Sequence, residues 1–175
     1  MSGQTFHSIE EMRRSFGYNG SREPTGGYHM QGQGPIKKEM PDFLKEDADY
    51  VSIAEEHVKK LGDPSRYRPG KIHFGNLTTS KIRNLLSLVN RIYNKIFLLG
   101  DPLPESAVGE IRYLKVRLVY ESGREPKVRD YCEKSGLIDA IDFIGTSKKR
   151  FLRYAKYMEA LVAYHRFYTD ENTNA

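Results

Sequence analysis

The sequence predicts an all-α protein: a compact bundle of about five helices with a disordered N-terminal extension. Three observations carry that expectation. From Asp47 to Tyr168 apolar residues recur at spacings of three and four, the period of a helix face. No segment alternates convincingly with period 2, as a half-buried strand would. Seven of the fifteen glycines and three of the eight prolines fall in residues 1–45, where GSREPTGGYHMQGQGP follows neither period. These mark out a flexible Gly-rich extension at 1–45, a helical domain at 46–168 and a disordered tail at 169–175. The extension is either a plain flexible leader or an arm that orders on a partner.

Each helix has its own signal. In DADYVSIAEEHVKKL the residues Val51, Ala54, Val58 and Leu61 make one amphipathic stripe. Gly62, Pro64, Pro69 and Gly70 then break the chain. Thr78 or Thr79 caps a second helix with Ile82, Leu85, Leu86, Val89, Ile92, Tyr93, Ile96 and Phe97 on its apolar side. Gly100, Pro102 and Pro104 end it. A third helix runs from about Pro104 to Glu121, where Ser122-Gly123 stops it; Pro at a first helical position costs no hydrogen bond. Its stripe is Ile111, Leu114 and Leu118, while Val108, Val116 and Val119 lie elsewhere around it, the pattern of a helix central in a bundle. Pro126 opens a fourth element, one kinked helix or two about Gly136. Thr146 or Ser147 caps the long last helix, whose face carries Phe151, Tyr154, Ala155, Met158, Leu161, Val162 and His165. Its end, ALVAYHRFY, is apolar nearly all round, so it is either fully buried or docked on a neighbouring subunit.

Composition excludes several function classes. One cysteine, Cys132, permits neither a disulfide framework nor an all-cysteine zinc site. No apolar run approaches the ~18 residues of a membrane span, and the first residues lack a secretion signal, so a soluble cytoplasmic protein with no membrane partner is expected. The five histidines are never three or four residues apart, so neither a metal nor a cofactor is expected. Glu55-Glu56-His57 fits a solvated helix face, His165 a hydrogen-bonded core residue, and Thr78-Thr79-Ser80 a cap. Asp139 and Asp142 have no visible acid–base partner. No phosphate-cradling glycine loop follows a strand. No catalytic set emerges, and an enzyme is not expected.

Charge is the positive signal. The chain carries net +5, yet residues 1–70 are at −1, residues 71–168 at +8 and the last seven at −2. The excess belongs to the helical domain, which points to an anionic partner. SKKRFLRYAK (147–156) has five cations and no acid; Lys149, Arg153 and Lys156 lie opposite the apolar stripe of their helix, facing solvent or a partner. Cations at a helix N-terminus oppose the macrodipole, a local conflict of the sort that function leaves behind. In the third helix Tyr113, Arg117 and Tyr120 share a stripe, and Arg124, Lys127 and Arg129 surround the following turn. Lys81, Arg83, Arg91 and Lys95 stand on the second helix. Basic groups with tyrosines among them suit phosphates and bases, although Tyr113 and Tyr120 fit the bundle core slightly better.

Three blocks carry a family likeness. LTTSKIRNLLSLVNRIYNK (77–95), YLKVRLVYESGRE (113–125) and RYAKYMEALVAYHRFY (153–168) resemble, in this order, the small subunit family of type III-A CRISPR effector (Csm) complexes. The likeness covers roughly residues 48–168, and its third block is the most specific. It implies a non-catalytic helical bundle, stacked with further copies of itself in a ribonucleoprotein beside backbone, large and end subunits. Target RNA paired to the guide (crRNA) is held without sequence readout. The positions matched to the family are Lys81 and Arg83, then Lys115, Tyr120 and Arg124, then Arg129 and Arg153. Arg117 and Lys149 join them on local charge alone. The competing expectation is a protein–protein spacer whose basic charge is incidental.

Overall fold

The computed structural model describes residues 38–170. Six α-helices follow in order: α1 (Tyr50–Lys59), α2 (Thr79–Ile96), α3 (Glu105–Arg124), α4 (Pro126–Lys134), α5 (Leu137–Ile144) and α6 (Lys148–Tyr168). The fourth element is thus two helices. Gly136 separates them with φ of +67°, the left-handed region that glycine enters without steric cost.

The caps of α2 and α6 fall on Thr78 and Ser147, each one of the two residues the sequence offers, and α1 has a cap outside those expectations. The Asp49 carboxylate accepts from the Val51 and Ser52 amides at the start of α1. Thr78 Oγ1 accepts from Lys81 N at the start of α2, and Ser147 Oγ from Arg150 N at the start of α6. The end of α3 departs from expectation: the helix runs through Ser122-Gly123 to Arg124. It stops at Glu125, whose extended backbone (φ −137°, ψ 117°) is what the following Pro126 requires.

The core is built on α6. Phe151, Tyr154, Tyr157, Met158 and Leu161 are fully buried along it. Helices α1 and α2 pack on α6, while α3 spans α2, α4 and α5. Val108 of α3 is buried, but Val116 and Val119 are 58% and 51% exposed. Hence α3 is not central; it covers the bundle from one side and shows an apolar strip to the outside. Phe97, expected on the buried face of α2, is also exposed, standing just past the last residue of the helix with its ring stacked on Tyr93.

Both ends of the expected domain extend further. Residues 38–45, which the sequence assigns to the flexible extension, pack on the bundle: Phe43 and Leu44 are 1% exposed, and the Phe43 ring stacks on Tyr157 at 3.7 Å. The rest of the extension, 1–37, lies outside the described residues. At the other end Asp170 is buried and accepts a 2.5 Å hydrogen bond from Ser65 Oγ; residues 171–175 lie outside the description. Ser65 belongs to a hairpin between α1 and α2, whose strands β1 (Asp63–Pro64) and β2 (Ile72–His73) pair antiparallel. Gly62 precedes it in close quarters, since a Cβ there would stand 2.6 Å from His73 O.

The buried polar groups account for the remaining expectations. His165 Nε2–H donates to Leu77 O at 3.1 Å, and Thr79 Oγ1 lies 3.3 Å from Nδ1. Burial lowers its pKa from 6.5 to about 4, so it is a neutral core residue that ties α6 to the start of α2. His57 departs from the solvated face assigned to it. Its Nδ1–H donates to Tyr157 Oη at 2.6 Å, and that hydroxyl donates to Ser135 O. The buried Cys132 thiol is pushed up to about 11 by desolvation, which leaves it protonated and unreactive.

Candidate nucleic-acid interface

Helices α2 and α3 form an antiparallel hairpin, and a groove runs along its outer face. Its α2 wall is Lys81, Asn84, Leu88 and Arg91, a stripe repeating every three to four residues. The α3 wall is Ser106, Gly109, Tyr113, Arg117, Glu121 and Arg124, spaced in the same way. Two hollows make up the groove. One, of about 330 Å3, lies between Lys81, Arg117 and Arg124. The other, of about 490 Å3, lies between Arg91, Gly109 and Tyr113 over a floor of Leu88, Ile92 and Leu114. Leu88 and Arg117 line both.

Ion pairs close the two ends. Lys81 Nζ meets Glu125 at 2.5 Å, and Lys95 Nζ meets both oxygens of Glu110 at 2.8 and 3.0 Å. Arg124 lies 3.5 Å from Glu121 and 5.7 Å over the Tyr120 ring. In the middle Arg91 and Arg117 are exposed and have no partner among the described residues. Three carboxylates thus stand against five cations, and the two unbalanced charges, Arg91 and Arg117, sit between the paired ends. Solvent-exposed pairs of this kind are worth about 0–1 kcal/mol, little enough for a polyanion to displace them.

The structure brings together only some of the residues singled out by sequence. Lys81, Arg117 and Arg124 line the groove, and Tyr120 stands beside it, 58% exposed. Tyr113 is 62% exposed, so neither tyrosine belongs to the core. Arg83, also exposed, lies on another face of α2, and Arg129 is exposed on α4 away from the lining. Lys115 is engaged with Asp142, 2.6 Å from each oxygen, and Asp139 with Lys38 at 2.5 Å. Lys149 pairs with Glu46 at 2.7 Å, holding that carboxyl below its usual range.

Arg153 is not turned to solvent. Its Nε donates to Phe43 O at 2.6 Å, Nη1 to Glu46 O at 3.2 Å and Nη2 to Ala48 O, while the guanidinium lies 5.3 Å over the Tyr50 ring. Arg91, noted in the sequence but not carried among its candidates, belongs to the groove. Its signal is the stripe 81-84-88-91, legible once α3 is known to run beside it.

Among the described residues, six helices with a cationic groove along an outer hairpin define the class: a small helical-bundle protein with a basic surface. Comparison with known proteins makes the assignment narrower. The family described as Csm2 Type III-A matches residues 50–171. A protein named CRISPR system Cms protein Csm2 from Enterococcus italicus is 44% identical over 125 residues, 70% of this chain and 89% of its own length. Proteins of the same name from Mycobacterium tuberculosis and Streptococcus thermophilus are 35% and 36% identical, over 67% and 70% of this chain and 95% and 93% of theirs. The chain therefore belongs to the Csm2 family of type III-A CRISPR systems, the small-subunit family that its three sequence blocks resemble. Among the described residues no helix is long and apolar enough to cross a membrane.

Proposed function

We propose that this chain is a non-catalytic, cytoplasmic RNA-binding subunit of a type III-A effector complex, and that the α2–α3 groove holds the phosphate backbone of bound target RNA. The carrying observation is the convergence of Lys81, Arg91, Arg117 and Arg124 on one groove, with Arg91 and Arg117 unpaired among the described residues. Sequence is then read by guide–target pairing, and this subunit supplies charge and shape. Its partners are the target RNA with its guide, the backbone, large and end subunits, and further copies of the chain. Arg153, Lys115 and Lys149 have protein partners in the structure, and in this reading they support the fold.

The test is salt dependence. With about three or four phosphates neutralised, single-strand affinity falls with salt at a log–log slope of roughly −2 to −3. Arg91→Ala with Arg117→Ala removes two contacts and flattens the slope by about 1.4 for every RNA sequence alike. A flat salt response of the wild type, alone and within the reconstituted complex, refutes the proposal.

A second reading has its own observation. The exposed Val116 and Val119 on α3 suit protein packing rather than RNA. If the chain serves only as a spacer, Val116→Glu blocks incorporation into the complex while the arginine double variant retains target RNA.

A further inference from the structure

Phosphate binding leaves one part of the groove without a role: the larger hollow, whose floor is apolar. Gly109 lies inside α3, as its fifth residue, where glycine costs about 1 kcal/mol of helix stability relative to alanine. Neither of the usual reasons for glycine applies. Its φ is not positive, and a Cβ built there meets nothing within 4 Å. What the missing side chain leaves is room, and that room is the hollow itself. Ser106, one turn earlier, keeps the same wall low. Tyr113 stands one turn later with its ring largely exposed, and Leu88, Ile92 and Leu114 form the floor. The rim carries Arg91 and Arg117, which have no partner among the described residues, while the carboxylate of the lining, Glu110, is neutralised by Lys95.

We infer that this hollow is a slot for a single unstacked nucleobase of the bound RNA strand, stacked on Tyr113 over the space left by Gly109, with Arg91 and Arg117 on its flanking phosphates. The chemistry favours that occupant. An aromatic face beside an apolar floor suits any base, because every base has a π-face. Two cations on the rim fit the charges one nucleotide brings with it. At about 490 Å3 the hollow is also within the range of small-ligand sites. The slot needs no base-specific donor set, in keeping with sequence-independent holding. This inference rests on the phosphate reading above and extends it from backbone to base.

The experiment separates base from phosphate. The full-length chain is titrated with two single strands of equal length, one of ordinary nucleotides and one of abasic nucleotides carrying the same phosphates. The wild type should bind the ordinary strand roughly tenfold more tightly, with the same salt slope for both. Gly109→Leu fills the slot from a position with free space, and Ser106→Leu narrows it from the neighbouring turn; both variants keep their helix content by circular dichroism. Each should bind the two strands equally and keep the wild-type slope. Salt-dependent binding with no base preference in the wild type, or a preference that survives both variants, overturns the slot alone. Binding that ignores salt overturns the phosphate reading, and the slot with it. If the leucine variants bind both strands as the wild type does but fail to enter the complex, the hollow holds a protein side chain and the inference is wrong.

Discussion

Two basic regions of this molecule look alike in sequence and differ in the structure. The first turns of α6 carry Lys148, Lys149, Arg150 and Arg153; the α2–α3 hairpin carries Lys81, Arg91, Arg117 and Arg124. On α6 the charge is spent inside the molecule. Lys148 Nζ donates to Phe97 O at 2.8 Å and to Leu99 O, Arg150 to Phe143 O at 3.0 Å, and Arg153 to the carbonyls of Phe43, Glu46 and Ala48. The ends of α2 and α5 and the segment before α1 all bring unsatisfied carbonyls to this place. Those carbonyls offset the cost of cations at a helix N-terminus. On the hairpin the middle of the groove has no such carbonyls, because helix interiors satisfy their own. Density of charge along the chain therefore says little about which cations are available to a partner. What decides it is whether broken backbone lies within reach.

The contrast can be broken at several points. Arg153→Ala should have the largest effect, a loss of about 2–4 kcal/mol in denaturant unfolding, because three carbonyls lose a charged donor together. Arg153→Lys should recover only part of it, since one ammonium cannot copy the guanidinium fork. An unchanged midpoint would return Arg153 to the set of free cations. Arg91→Ala with Arg117→Ala should do the reverse: RNA affinity drops on the order of tenfold or more while the unfolding midpoint stays within about 0.5 kcal/mol.

Acid gives a third comparison. The folded pKa of His165 lies below its ordinary 6.5, at about 4. The stability it contributes is therefore present above pH 6.5, is lost progressively as pH falls towards 4, and is gone below that. His165→Gln should flatten the pH profile of stability measured by thermal unfolding over that window. The smallest effect belongs to Lys149→Ala, under about 0.5 kcal/mol, as an exposed pair with Glu46 is worth little.

Most of the fold was legible because its signals are local. The caps at Thr78 and Ser147, the stripes of α2 and α6, and the break at Gly136 each depend on residues within one or two turns. The end of α3 was misplaced for a local reason too: Ser122-Gly123 looks like a stop, yet Pro126 dictates the break through Glu125. The site was less legible. Tyr113 and Val116 have the same apolar character as Leu114, and only the side on which α2 and α5 pack separates wall from core. Arg153 shares its composition with a phosphate ligand and differs in what lies opposite, more than a hundred residues earlier in the chain.

The stacking of Phe43 on Tyr157 has a practical consequence for where this protein begins. The match to the family begins at residue 50, after Phe43, Leu44 and the carbonyls that Arg153 holds. A fragment trimmed to that border would leave a ring-sized hole over Tyr157 and strand a guanidinium. Truncations of that size in a core cost about 3–5 kcal/mol, a large share of a small domain's stability. The family match and the folding unit differ here by at least seven residues, and expression should follow the second.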